Sequence, residues 1–122
     1  MPKKILIIDD EEGIVEEIEG FFRDEGYETY IAGTGQDGIA ILKGKNPEIV
    51  LIDLKLPDIS GLDVLKVAKD LNPSVCAIVN TGYVDQTMAD QAEILGCDAF
   101  LLKPFDLGRL KQEVDRLSGG AP

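Results

Sequence analysis

Short apolar runs punctuate the chain at residues 5–8, 27–32, 49–52, 75–79 and 99–102. Runs this short, rich in Ile, Val and Leu, fit strands buried on both faces, as in a parallel sheet covered by helices. The run at 27–32 is looser; its Tyr and Thr residues predict a strand less deeply buried. Between the runs the apolar period changes. Ile14, Val15, Ile18, Phe21 and Phe22 share one face of a helix that starts near Glu11 and stops at Gly26. Thr34 is a cap for a second helix to about Lys43, with Ile39 and Leu42 inward and Gly38 weakening it. Leu62, Leu65, Ala68 (or Val64) and Leu71 mark a third helix, closed by Asn72-Pro73. Met88, Ala92 and Leu95 mark a fourth over 85–95, stopped by Gly96. Leu107, Leu110, Val114 and Leu117 form the stripe of a last helix capped by Asp106. Strand and helix thus alternate through the chain with short connections. That order implies an α/β fold: a parallel sheet, helices on both faces and right-handed crossovers.

Composition narrows the classes. A length of 122 residues predicts one domain, residues 1–118, with 119–122 as a flexible tail or the start of a linker. A net charge of −11 argues against direct nucleic-acid binding and against anionic membranes. Cys76 and Cys97 stand without any histidine or a CxxC pair, which excludes an ordinary zinc site. Both read as buried packing thiols in a reducing compartment. The apolar run after Lys4 is too short for a signal-peptide core, and no run spans a bilayer, so a cytoplasmic location is expected.

The chemistry gathers where the strands end. Asp9 and Asp10 follow the first run, Asp53 the third, Thr81 the fourth and Lys103 the fifth. In a parallel sheet all of these ends share one edge, where open α/β folds bind ligands. Carboxylates brought within a few ångströms repel by roughly 1–4 kcal/mol per pair. A hard cation offsets that repulsion, and carboxylates, a carbonyl and waters suit Mg²⁺. Lys103 adds a second positive charge, Thr81 a hydroxyl donor, and Gly82 leaves room for an incoming group. Such a set suits a tetrahedral anion attached to one carboxylate.

These motifs in this order resemble the response-regulator receiver domain of two-component signalling, the CheY-like family. Ile8-Asp9-Asp10, Ile52-Asp53, Leu56-Pro57 with Gly61, Thr81-Gly82 and the string Phe100-Leu101-Leu102-Lys103-Pro104-Phe105 carry the resemblance. It implies a flavodoxin-like, doubly wound (βα)5 fold with strand order 2-1-3-4-5. It implies that Asp53 is the phosphoacceptor, and that Asp10, Asp53 and the main-chain carbonyl of Lys55 ligate Mg²⁺, with Asp9 reaching the metal through water. Thr81 matches the switch hydroxyl, Lys103 the cation that pairs with the acylphosphate, and Phe100 the switch aromatic. The Lys103-Pro104 bond is expected to be cis. The implied partners are a sensor histidine kinase or phosphotransfer protein, and a downstream target or effector domain addressed through the fourth helix, fifth strand and last helix. Lys55 and Tyr83 depart from the commonest pattern and are read as a screen that slows hydrolysis of the acylphosphate.

Rival functions fit less well. A haloacid-dehalogenase-type phosphatase needs a second Asp two residues past its nucleophile, where this chain has Lys55. A turnover enzyme is therefore not expected. An FMN-binding flavodoxin needs a phosphate loop after the first strand, and Asp9-Asp10-Glu11-Glu12 would repel that phosphate. A pseudo-receiver scaffold has no need of the intact acidic set.

Overall fold

The computed structural model describes residues 2–82 and 85–119. Along the chain it comprises β1 (Lys4–Ile8), α1 (Glu12–Asp24), β2 (Glu28–Ala32), α2 (Gly35–Lys45), β3 (Ile49–Asp53), α3 (Gly61–Leu71), β4 (Cys76–Thr81), α4 (Gln86–Ile94), β5 (Ala99–Leu102) and α5 (Leu107–Ser118). The strands form one parallel sheet in the order β2-β1-β3-β4-β5, as the family pattern implied.

The central strands are buried on both faces, and alternate residues feed two cores. Leu6, Ile8, Val50, Ile52, Ala77 and Val79 pack with Leu42 of α2, Val64, Leu65 and Ala68 of α3, and Ala92 of α4. Ile5, Ile7, Ile49, Leu51, Ile78 and Leu101 pack with Val15, Ile18 and Phe22 of α1 and Leu110 and Val114 of α5. The period-2 alternation of each strand therefore assigns its next residue to a known face. Close packing also explains Gly38, which the sequence marks only as a weak helix residue. A Cβ there would lie 2.5 Å from Ile8 Cδ1, so glycine lets α2 sit down on β1.

Four expectations need correction. α2 continues through Gly44 to Lys45, because Asn46 takes the left-handed cap (φ 49°) and donates its N–H to the Leu42 carbonyl. Leu71, in the last turn of α3 at the amino end of the sheet, is 48% exposed. β4 does not stop at Val79. It runs to Thr81 because Asn80 and Thr81 pair with Leu101 and Leu102 of β5. Cys76 and Cys97 are half-buried rather than buried. Burial, followed by the nearby Asp98 carboxylate, still raises both thiols above their ordinary pKa. Among the described residues, no helix is long and apolar enough to cross a membrane.

Candidate functional site at the carboxyl edge of the sheet

Alternation decides which side chains meet. Ile7, Leu51, Ile78 and Leu101 lie in the α1–α5 core, so Asp9, Asp53, Asn80 and Lys103, two residues further on, leave their strands on that same face. Thr81 and Phe100 belong to the opposite face, with Val79. The edge thus splits into an acid-and-ammonium cluster on one side and a hydroxyl-and-ring pair on the other.

Lys103 is the hub of the cluster. Its Nζ lies 2.8 Å from Asp9 Oδ2, 2.8 Å from Glu11 Oε1 and 3.2 Å from Asp53 Oδ2. Backbone amides hold the other oxygens: Lys55 N–H donates to Asp53 Oδ1 at 3.0 Å, and Glu11 N–H to Asp9 Oδ1 at 2.9 Å. Lys103 N–H donates to the Thr81 carbonyl at 2.8 Å, which ties the end of β5 to that of β4. The Lys103-Pro104 peptide is cis. Asp10 is exposed, Asp9 and Asp53 are buried, and one oxygen of each lies within 4.8 Å of the others.

Burial and one shared ammonium set the electrostatics. Burial alone would lower the Lys103 ammonium, but its hydrogen bonds to Asp9 and Glu11 outweigh that and raise it well above the usual lysine range. Asp53 is also raised, which is unusual for a carboxylate facing a lysine. Burial is the larger effect, and the Lys55 amide and Lys103 only partly oppose it, while Asp9 adds to it. One ammonium is shared among Asp9, Glu11 and Asp53, with Asp10 beside them, so negative charge is left over. Three clustered carboxylates offering hard oxygens fit a divalent ion of the Mg²⁺ class.

The loop after β3 is packed to hold this geometry. Gly61 N–H donates to the Leu54 carbonyl at 3.0 Å, and a Cβ on Gly61 would fall 2.3 Å from the Asp53 carbonyl oxygen. Only glycine allows that approach. Asp58 fastens the same loop to α2, accepting from the Gly35 and Gln36 amides at 2.8 and 2.9 Å. Those two amide bonds hold its carboxyl below the usual range.

The structure therefore brings together Asp9, Asp10, Asp53 and Lys103. Lys55 is an exposed residue with its backbone bridged to Ser60, and Thr81 is buried on the far face. Tyr83, the other half of the expected screen, lies outside the described residues. Phe100 is half-buried between two clefts, one of about 630 Å³ toward α5 and one of about 420 Å³ toward α4. In the sequence Glu11 stands out only as part of the acidic stretch after the first run, since its lysine lies 92 residues away. Asp58 carried no signal beyond its place in a turn.

The family model for the response regulator receiver domain matches residues 5–115, and the chain belongs to that family. The chain is 33% identical over 116 residues to sporulation initiation phosphotransferase F of Bacillus subtilis (strain 168), covering 95% of this chain and 94% of that protein. It is 30% identical to regulatory protein AtoC of Escherichia coli (strain K12) over 93% of this chain, but spans only 24% of that protein. Among solved structures, a CheY-like receiver domain protein from Methanospirillum hungatei superposes with a TM-score of 0.89 at 32% identity, covering 98% of both chains. A response regulator from Burkholderia pseudomallei, solved with a phosphorylated aspartic acid, a calcium ion and citrate, gives 0.87 at 27% identity, covering 96% of this chain and 69% of that one.

Proposed function

We propose that this chain is a phosphorylation-driven switch in which Asp53 accepts a phosphoryl group from the phosphohistidine of a sensor kinase or a phosphotransfer protein. The observation that carries the reading is the placing of Asp53. Its Oδ1 is held by the Lys55 amide at 3.0 Å, its Oδ2 faces Lys103 at 3.2 Å, and the Asp9 and Asp10 oxygens lie within 4.8 Å. A carboxylate held so rigidly, with a cation beside it, is a positioned nucleophile.

In the proposed step an Asp53 oxygen forms the bond to phosphorus as the donor's P–N bond breaks, and the imidazole leaves with the electron pair. Lys103 neutralises charge on the phosphoryl oxygens, and the Thr81 hydroxyl donates to one of them. Asp10, Asp53 and the Lys55 carbonyl would hold Mg²⁺ directly, and Asp9 through water; the ion would supply further neutralisation of the phosphoryl group. Drawing Thr81 toward the phosphoryl group opens space for Phe100 to turn inward on the same face. The readout is then a population shift at the α4–β5–α5 surface, where Leu102 is already half exposed. The chain acts as a signalling component rather than a turnover enzyme, in the cytoplasm, with its output in a partner or an attached effector domain.

The test is incubation with Mg²⁺ and acetyl phosphate, read by intact-protein mass. A gain of one phosphoryl group in the wild type and none in Asp53→Ala supports the reading. A wild type that gains nothing, or a variant that gains equally, overturns it.

A further inference from the structure

Asn80 is fully buried, and neither its Oδ1 nor its Nδ2 has a hydrogen-bond partner among the described residues. Leaving both ends of a buried carboxamide unpaired disfavours the fold, and such groups in native proteins call for an explanation. A strand interior offers no reason for one. The neighbouring β4 positions Ala77, Ile78 and Val79 are all apolar and buried, and an apolar residue at 80 would continue the pattern.

The place of Asn80 is specific. It is the register partner of Asp53 on β3 and of Leu101 on β5. Its side chain leaves β4 on the same face as Asp9, Asp53 and Lys103, next to Asp53 on the neighbouring strand. Its own carbonyl accepts from Leu54 N–H at 2.9 Å, so its backbone sits against the residue after Asp53. As the structure stands, the Lys103 ammonium already faces three carboxylate oxygens, from Asp9, Glu11 and Asp53. Three acceptors match its three N–H groups, which leaves none for the Asn80 amide.

We infer that Asn80 is a positioning residue whose carboxamide gains its partner only when Asp53 carries a phosphoryl group. The inference rests on the reading of Asp53 as phosphoacceptor. A phosphoryl group at Asp53 draws Lys103 away from its present three-way sharing and changes which oxygens and N–H groups face Asn80. The amide then closes on the Lys103–Asp53 pair. An unpaired amide in the free form and a paired one in the phosphorylated form both bias the equilibrium toward the phosphorylated state. An apolar side chain of similar size would lose that bias while making the free protein more stable.

The experiment uses the full chain with Mg²⁺ and beryllium fluoride, a non-transferable stand-in for the phosphoryl group. Thermal unfolding is read for wild type, Asn80→Val and Asn80→Ala, with and without the ligand. Asn80→Val is expected to raise the Tm of the free protein by about 5 °C, the effect of removing one unsatisfied buried polar group. Both variants are expected to bind beryllium fluoride about fivefold more weakly, the equivalent of one hydrogen bond. Unchanged affinity in both variants overturns the inference. So does weakened affinity together with a lowered Tm in Asn80→Val, which is what general loosening of the edge would give. If the wild type itself does not respond to beryllium fluoride, the Asp53 reading fails as well, which sets that failure apart from one confined to Asn80.

Discussion

Lys103 Nζ lies 3.2 Å from Asp53 Oδ2 although 50 residues separate the two in the chain. The contact exists because β3 and β5 both pair with β4 and end on one edge, with both side chains on the same face. Lys103 is also shared with Asp9 and Glu11, and this makes it the structural as well as the chemical centre of the site.

Removing that centre should cost stability. Lys103→Met strips the cation from Asp9 and Asp53, both buried, and leaving buried charges uncompensated typically costs about 3–5 kcal/mol. The raised Lys103 pKa means that its contribution is fully present below the ordinary lysine value of 10.5 and is lost only as pH rises through the folded-state value. The Tm gap between wild type and Lys103→Met in metal-free buffer should therefore be flat from about pH 6 to 9. Thermal scans across that range check it.

Asp53 titrates with the opposite consequence. Its folded-state pKa is raised, so the stability it lends is present below 3.8 and is lost as pH rises through the folded value. At neutral pH the ionised group burdens the fold. Asp53→Asn keeps the shape and mimics the protonated form, and Lys103 keeps Asp9 and Glu11. Its Tm in metal-free buffer should exceed that of wild type, by about 4 °C if the change is near 1 kcal/mol. Adding Mg²⁺ should reverse the order, because the variant lacks one anionic ligand of the proposed metal site. Paired melts with EDTA and with Mg²⁺ decide the matter.

Three glycines should respond differently to the same methyl group. Gly61→Ala drives a Cβ to 2.3 Å from the Asp53 carbonyl oxygen and 2.6 Å from Leu54 Cα, both of them backbone atoms. It should cost about 2–3 kcal/mol and weaken Mg²⁺ binding, since the Lys55 carbonyl of the proposed metal site rides on the displaced loop. Gly38→Ala meets side-chain rather than backbone atoms, Cδ1, Cγ1 and Cγ2 of Ile8, so it should cost less than Gly61→Ala but more than an open site. Gly33→Ala meets nothing within 4 Å and should stay within about 0.5 kcal/mol of wild type. Urea unfolding and Mg²⁺ titration of the three variants test the ranking.

Asp58→Ala removes the acceptor that joins the β3–α3 loop to the Gly35 and Gln36 amides. The carboxyl is held below its ordinary pKa, so its contribution is present above 3.8 and is lost as pH falls through the folded value. Wild type should be the more stable at neutral pH, and the two melting curves should converge below pH 3.8. A gap that persists in acid would count against the carboxylate as the cause.

Much of this was legible along the chain because the period of the apolar residues reports element type directly. Runs such as Ile49-Val50-Leu51-Ile52 have to be strands with both faces covered, and the Leu107–Leu110–Val114 stripe has to be a helix. Where a register pairing or a cap decided the boundary, the chain was less informative. Asn80 and Thr81 join β4 only because β5 lies beside them, and Asn46 ends α2 by adopting a left-handed backbone.

Local pattern, then, was enough to determine five strands, five helices, their alternation and the acids, hydroxyl and lysine that end the strands. These depend on neighbours a few residues apart. The sharing of Lys103 among Asp9, Glu11 and Asp53, the bracing of the loop by Asp58, and the burial of Asn80 beside Asp53 depend on residues 23 to 92 positions apart. Only the tertiary structure could decide them, because strand order and the face on which each side chain emerges are settled when the whole sheet closes over its two cores.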